Sequence, residues 1–245
     1  MMNKLMLSGL LASMAFVAIA DEYPLIRDTR KMRGSVTFVN TQSRVDVKDG
    51  VAKAIATLDK EFHWDLRTTN VVEAAVTPAS AAALRKAIKT TAAVVFVDKP
   101  DFPALSAFPD ERVALVNVAP LMADKPETKK LSKRIRLEAM RAFAFAFGAG
   151  FSQYEALLMS PADSLAELDI IPAKSFYPYD SLIALRKVAE SRGMSPYTDE
   201  YYETACQQGW APAPTNAAQK KIWDLVHQMP TEPIKIKPEE KKVVE

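Results

Sequence analysis

The chain has 245 residues, of which 49% are hydrophobic and 25% are charged, and its formal net charge is +2. This near-neutral charge excludes the basic surface of a general nucleic-acid-binding protein, and the apolar share is that of a globular chain rather than a disordered one. Two histidines and one cysteine exclude a site of three imidazoles, a zinc cluster of several cysteines and an intrachain disulfide. Composition therefore predicts a globular protein and leaves its activity open.

Residues 1–20 have the pattern of a secretory signal peptide. Lys4 precedes an uncharged run from Leu5 to Ala20, and the small residues Ala18 and Ala20 stand just before Asp21, as signal peptidase requires. The run is shorter than the roughly 20 residues that span a bilayer. We expect cleavage after Ala20, a periplasmic or secreted protein, and no membrane span in the rest of the chain.

The mature chain is predicted to contain a single domain between two irregular ends. Residues 21–34 carry mixed charges without periodicity, which predicts an N-terminal arm. Residues 229–245 combine prolines with a charged tract, which is typical of a disordered tail. The segment between them, 35–228, supplies the periodic elements and is predicted to form the one domain.

The first half of this domain alternates between strand and helix patterns. Val51, Ile55, Leu58 and Phe62 recur at helical spacing, and Thr77-Pro78 is a helix start. The continuous β-branched run Ala92 to Val97 indicates a strand buried on both faces. The predicted elements are strands at 35–39, 65–69, 92–97 and 112–118 and helices at 47–62 and 79–88. Their order predicts an α/β (α+β) fold in which helices pack on a mixed sheet.

From Lys125 onward the pattern is helical. The run Thr128 to Glu138 is rich in lysine and arginine, which we interpret as the solvated face of a helix. The segment Ala139 to Phe151 is apolar all round and predicts a continuation buried on every side. Its alternation of phenylalanine with alanine also matches a strand, but alanine favours helix. Three further C-terminal helices are expected at 181–191, 198–207 and 216–228.

The segment from Arg141 to Asp180 resembles the archaemetzincin group of zinc metallopeptidases. In that family a helix carries His-Glu-x-x-His-x-x-Gly-x-x-His, a turn containing methionine follows, and four cysteines bind a second zinc. The spacing fits without insertion and places the family's glycine on Gly148 and its methionine on Met159. The resemblance covers roughly Ser35 to Arg192. It implies a zincin-like fold with a long central helix and a Met-turn-like segment.

Every residue that performs chemistry in the family is replaced here. The resemblance places the three histidine positions on Arg141, Phe145 and Phe151 and the general base on Ala142. It places the four cysteine positions on Ser152, Leu157, Tyr177 and Asp180. Phenylalanine has no lone pair to donate, and arginine repels a dication. We therefore expect no zinc, no other cofactor and no enzyme activity, with the former cleft filled as core by Phe145, Phe151 and Leu157.

Arg141 needs a partner because a guanidinium among apolar neighbours is costly unless it is paired. Glu138, one helical turn away, Asp169 and Asp180 are the candidate carboxylates. A buried structural ion pair is the preferred interpretation. The alternative is a ligand-anchoring role for Arg141 with Tyr177 and Ser152, for a ligand that carries a carboxylate.

Together these patterns predict an exported, non-catalytic relative of metallopeptidases. Its role would be to bind a peptide or protein partner, or to serve a structural task in the cell envelope, with no nucleic acid involved. The alternative is a hydrolase that uses a different site. Cys206 is the one thiol, with His63 or His227 as its only possible imidazole base, and Glu138 and Asp169 form a possible carboxylate pair.

Overall fold

The computed structural model describes residues 24–71, 76–152, 157–172 and 177–228. The predicted signal peptide and the predicted tail lie outside these ranges. The chain divides into two compact units, one formed by 29–198 and the other by the segments that end at Asp28 and begin at Asp199. Each unit is described by itself.

The described elements are seven strands and eight helices. The strands are β1 (Leu25–Asp28), β2 (Val36–Asn40), β3 (Leu66–Asn70), β4 (Ala92–Val97), β5 (Leu105–Phe108), β6 (Val113–Asn117) and β7 (Thr198–Tyr201). The helices are α1 (Lys48–Phe62), α2 (Pro78–Ala87), α3 (Val118–Leu121), α4 (Thr128–Ala146), α5 (Leu165–Ile170), α6 (Tyr179–Ser191), α7 (Tyr202–Gln207) and α8 (Ala217–Gln228). The predicted α/β class, with a long central helix and C-terminal helices, is confirmed.

The larger unit is built on a five-stranded mixed sheet in the order β3-β2-β4-β6-β5. The pairs among β3, β2, β4 and β6 are parallel, and β5 joins β6 antiparallel at the edge. Every residue of β4 and β6 is buried, as their unbroken apolar runs require when helices cover both faces. Helices α1 and α4 share the core of one face, and α2 packs on the other.

The elements that the sequence misjudged lie beside the cleft described below. Strand β5 has no counterpart among the predicted elements, because it has only four residues and lies between Pro103 and Pro109. Helix α4 does not run to Phe151 but ends at Ala146. Gly148, with a φ of +85°, turns the chain in the left-handed region, which glycine adopts without steric cost.

The interpretation of the charged run in α4 as a solvated face is wrong for two of its arginines. Arg134 is 0% exposed and Arg136 is 7% exposed. The guanidinium of Arg134 binds Asp124 at 2.6 and 2.9 Å and Asp169 at 2.6 and 2.8 Å, and it also donates to the carbonyl of Leu121. These partners come from segments before and after α4, so helical periodicity gave no signal of them.

The smaller unit contains a two-stranded sheet and two helices. Strand β1 pairs with β7, so residues 21–34, predicted as an arm, include a short strand. The predicted helix at 198–207 begins instead with β7 and becomes α7. Tyr202 is fully buried and donates its hydroxyl hydrogen to the carbonyl of Pro212 at 2.7 Å. Neither unit contains, within the described ranges, a helix that is both long enough and apolar enough to cross a membrane.

Candidate functional site

An open cleft of about 590 Å³ lies between the edge strand β5 and helix α4. Leu105 and Ala107 of β5 form one wall, and the start of α5 contributes Leu165 and Leu168. The polar atoms of the α4 wall come from Glu138 and Arg141. Most of the remaining surface is apolar, so charged groups in this cleft interact in a medium poorer in water than the open surface.

Glu138 and Arg141 form a buried ion pair in the wall of this cleft. Arg141 Nη1 donates to Glu138 Oε1 at 2.6 Å, and Arg141 Nη2 donates to the carbonyl of Ser160 at 3.1 Å. Both residues are 2% exposed. Burial raises the pKa of Glu138, and the neighbouring guanidinium opposes that rise. The preferred interpretation of Arg141, a structural ion pair, therefore finds its partner in Glu138.

The pair is not fully satisfied. Glu138 Oε2 and Arg141 Nε are both buried and make no hydrogen bond within the described part of the chain. A buried carboxylate oxygen without a donor loses its hydration without compensation, a cost of about 1–3 kcal/mol or more for a charged group. Unpaired polar atoms beside an open cleft are the arrangement expected where a ligand supplies the missing partner.

Two aromatic rings close one side of the pair. The Phe151 ring stacks edge-on against Phe145, with 4.9 Å between the ring centroids, and lies 5.7 Å from the Arg141 guanidinium carbon. Phe145 is buried on α4, but Phe151 follows the end of that helix and is 57% exposed. The expectation that both rings become core is therefore wrong for Phe151, because α4 stops before that residue can pack into the interior, whereas Phe145 belongs to the hydrophobic core.

The Met159 segment forms a turn beneath α4. Met159 is fully buried, and its carbonyl accepts a hydrogen bond from the amide of Ser152 at 2.7 Å. The amide of Leu157 donates to Ser160 Oγ at 2.8 Å. Since the carbonyl of Ser160 also accepts from Arg141, the ion pair fixes this turn to the helix.

The ten residues that the resemblance singles out do not form one site. Arg141, Phe145 and Phe151 line the cleft. Ala142 is fully buried within α4, whereas Asp180 is exposed at the start of α6. Tyr177 lies in the aromatic core and donates to the carbonyl of Met140 at 2.5 Å, and burial raises its pKa well above the usual value. Of these ten residues, only those at the three histidine positions therefore line the cleft.

The alternative hydrolase sites are not assembled. Cys206 is buried, and burial raises the pKa of its thiol, whereas a nucleophilic thiol needs a lowered pKa. His63 stacks on Tyr197, and His227 stacks on Trp223. The proposed carboxylate pair is divided between two arginines: Glu138 binds Arg141, and Asp169 binds Arg134.

Zinc does not fit the residues at the three ligand positions. Zinc in proteins is bound by nitrogen, sulfur or oxygen atoms with a free lone pair, usually about three or four of them. Phe145 and Phe151 offer hydrocarbon rings, and Arg141 offers a cation already engaged by Glu138. Across the described ranges, no three histidine, cysteine, aspartate or glutamate residues group so that they could hold a metal ion.

Sequence reasoning missed two parts of the cleft. The signal for β5 is the alternation Leu-Ser-Ala-Phe bounded by Pro103 and Pro109, which is short but matches an edge strand. Sequence reasoning names Glu138 as a partner of Arg141 or of Asp169 and not as part of a cleft. Glu138 lies one helical turn before Arg141, so the two side chains lie on the same face of α4 and reach the same cleft wall.

Comparison with known proteins identifies the fold. No family model and no curated protein matches the chain. Among solved structures, the archaemetzincin of Methanopyrus kandleri is similar with a TM-score of 0.51 and 16% sequence identity, over 66% of this chain and 98% of that one. A zinc-dependent peptidase of Methanocorpusculum labreanum is similar with a TM-score of 0.48 and 15% identity, over 62% of this chain and all of that one.

The chain therefore has a zincin fold. More closely, the fold is archaemetzincin-like, as the spacing around Gly148 and Met159 predicts. At 16% identity the likeness shows the fold and does not by itself transfer an activity.

The prediction that the chain is not an enzyme is wrong as it was stated. A solved structure with a similar fold is an archaemetzincin, so the fold gives no support to that prediction. The replaced residues concern the two metal positions that the resemblance implies. They do not decide what an open cleft that contains a carboxylate and a guanidinium can do.

Proposed function

We propose that this chain is an exported protein that binds an extended peptide segment in the cleft between β5 and α4. The observation that carries the proposal is an accessible cleft of about 590 Å³ beside the outermost strand of the sheet. An extended chain can add to such an edge, where main-chain hydrogen bonds supply affinity and alternate side chains enter neighbouring pockets.

The register of β5 supports this mode of binding. The amide of Asn117 donates to the carbonyl of Ala104, and Leu105 and Ala107 lie opposite Val116 and Ala114. Hydrogen-bonded and non-hydrogen-bonded pairs alternate along an antiparallel ladder. The main-chain groups of Leu105 and Ala107 therefore point away from β6, toward the position that a bound peptide strand would take.

The likeness to an archaemetzincin supports a peptide as the ligand class, since that group consists of peptidases. The apolar walls contributed by Leu105, Leu165 and Leu168 favour apolar side chains in the bound segment.

Substitution of Ala107 tests the proposal. Peptides selected from a displayed random library against the mature chain are titrated by calorimetry into wild-type protein, Ala107→Pro and Ala107→Ser. Proline removes the amide hydrogen that faces the open edge, while serine keeps it in nearly the same volume. We expect Ala107→Pro to weaken binding about tenfold, the value of one hydrogen bond of roughly 1.4 kcal/mol, and Ala107→Ser to bind as the wild type does.

Two outcomes would contradict the proposal. One is that no peptide is selected, which would favour the structural role in the cell envelope. The other is that selected peptides bind both variants equally, which would place them elsewhere on the surface. Mass spectrometry of the same samples shows whether bound peptides are cleaved, which is a question that the fold raises independently.

Export is the second part of the proposal, and it is supported by the pattern of residues 1–20. When the full chain is expressed in a Gram-negative host, we expect it in the periplasm or the medium with Asp21 as its first residue. Replacing Leu10 and Val17 with aspartate should retain the protein uncleaved inside the cell. N-terminal sequencing of each fraction makes the measurement, and an intact Met1 on the exported wild type would contradict cleavage.

A further inference from the structure

We infer that the cleft between β5 and α4 selects a ligand that carries a primary ammonium group, which Glu138 binds through its unpartnered oxygen. The inference deepens the proposed function, on which it rests, by naming the chemical group that the cleft recognises. It is carried by the polar atoms and the charges of the cleft wall, and not by the edge of β5.

The first argument is the geometry of Glu138. Its Oε1 accepts from Arg141 at 2.6 Å, while its Oε2 has no partner in the described structure although the side chain is 98% buried and lines the cleft. An ionised carboxylate accepts hydrogen bonds only, so the missing partner must be a donor. A donor that also carries positive charge makes the stronger bond, particularly where water is scarce.

The second argument is the charge of the cleft. Among the described residues, three charged side chains line it: Glu138, Arg141 and Asp163. Two are acidic and one is basic, so this described lining carries one excess negative charge among walls that are mostly apolar. A ligand with a single positive charge neutralises this excess. A ligand with a carboxylate, the alternative considered for Arg141, would double it.

The third argument separates an ammonium from a guanidinium. A guanidinium binds best when two parallel donors meet both oxygens of one carboxylate. Arg141 already occupies Oε1, so only one oxygen of Glu138 is available to a ligand. A compact ammonium can donate to that single oxygen and turn its other hydrogens toward water or main-chain carbonyls.

Access to Glu138 Oε2 requires a side chain to move, because the atom is enclosed. Phe151 is the most exposed aromatic residue of the cleft, and its ring lies over Arg141. Displacement of this ring opens the pair, and the ring face can then contact the entering cation, an interaction worth about 0.5–2 kcal/mol.

Four small probes test the inference without reference to any selected peptide. Leucine amide carries an α-ammonium group and Nα-acetyl-lysine amide carries a side-chain ammonium group. Nα-acetyl-leucine amide and Nα-acetyl-norleucine amide are their neutral counterparts. Each is titrated at pH 7 into wild-type protein and followed by NMR chemical shifts of the Phe145 and Phe151 rings.

We expect the wild type to bind at least one charged probe ten or more times more tightly than its neutral counterpart. The charged probe that binds identifies a chain terminus or a lysine side chain as the source of the ammonium. Glu138→Gln keeps the shape of the side chain and should remove this preference. Asp180→Asn removes the same unit of charge from an exposed position outside the cleft and should keep it.

Equal binding of charged and neutral probes by the wild type would overturn the inference, and so would a preference that survives Glu138→Gln. The comparison among probes uses the unaltered protein, so it decides the matter even if Glu138→Gln fails to fold. If the ammonium preference is absent, the proposed binding of a peptide at β5 can still hold, because Ala107→Pro tests main-chain pairing and not charge. Conversely, a preference for ammonium without any peptide binding would point to a small amine as ligand.

Discussion

Two arginines on the same helix show how residue-scale chemistry separates a structural group from a binding group. Every N–H of the Arg134 guanidinium has an acceptor, because Asp124, Asp169 and the carbonyl of Leu121 surround it. Arg141 and its partner Glu138 each keep one polar atom without a partner. A satisfied network fixes a fold, whereas an unsatisfied pair beside a cleft retains capacity for a ligand.

Arg134→Met is expected to destabilise the protein strongly. Methionine matches the length of the buried stem but leaves Asp124 and Asp169 with Lys130 as the one described cation between them. Removal of one partner of a buried pair costs about 3–5 kcal/mol, and solvent access to the aspartates favours the lower end. Urea unfolding followed by circular dichroism measures the change. Lys129→Met, on the exposed side of α4, is the control and should be nearly neutral.

Gly50 is the residue on which the packing of α1 against α4 depends. A Cβ at this position would lie 2.6 Å from Ile135 Cγ2 and 2.9 Å from the carbonyl oxygen of Ser132. Gly50→Ala should therefore cost about 1–3 kcal/mol through overpacking, despite the better helix propensity of alanine. Gly150→Ala is the matched control, because its Cβ would meet nothing within 4 Å. An equal effect of the two substitutions on thermal unfolding would contradict this account.

At the scale of elements, the sequence predicted those whose signal is local. The alanine-rich part of α4 and the buried strand β4 follow from propensity and from unbroken apolar composition. Strand β5 forms by pairing with β6, and its four residues are too few to give a clear strand pattern of their own. The end of α4 depends on Gly148, a residue that permits a turn but does not by itself require one.

The same division applies to the candidate site. Family spacing identified Arg141 and Phe145 as positions in the cleft, since both lie on a regular helix. It could not show that Phe151 remains exposed or that Tyr177 lies in the core, because neither residue lies on helix α4. A spacing match transfers reliably along a helix and less so through the loops that follow it.

The junction of α4 with the C-terminal end of α5 is expected to weaken in acid. Hydrogen bonds from Arg134, and secondly from Lys130, hold the pKa of Asp169 below its usual range. A carboxyl whose folded pKa lies below its unfolded value of about 3.9 contributes stability above that pH, and loses it as the pH falls through the folded pKa. The stability difference between wild type and Asp169→Asn should thus be largest near pH 7.

Thermal unfolding of both proteins from pH 7 to pH 2 makes this measurement. We expect the wild type to be more stable at neutral pH and the two curves to converge below about pH 4. Asp101→Asn, at an exposed position, is the control and should run parallel to the wild type. A difference that stays constant across the range would mean that Asp169 acts through its hydrogen-bonding shape and not through its charge.

At the scale of the molecule, a zincin fold is combined with an open cleft whose walls are mostly apolar. The edge strand, the long helix and the buried methionine turn are all present. The three positions on which the resemblance places histidine ligands carry one cation and two aromatic rings. At the wall of this cleft, Arg141 joins α4 to the turn through the carbonyl of Ser160.

The residues at these three positions predict that zinc does not stabilise the folded protein. A metal that binds only the native state adds about 2.7 kcal/mol at a concentration one hundred times its dissociation constant, which raises the unfolding midpoint by several degrees. Because Arg141, Phe145 and Phe151 offer no lone pair, the midpoint should be the same in excess zinc and in a chelator. An archaemetzincin with its three histidines serves as the positive control in the same assay. A midpoint that rises with zinc at one ion per chain, and falls again with chelator, would show that other residues of this chain have taken over the metal.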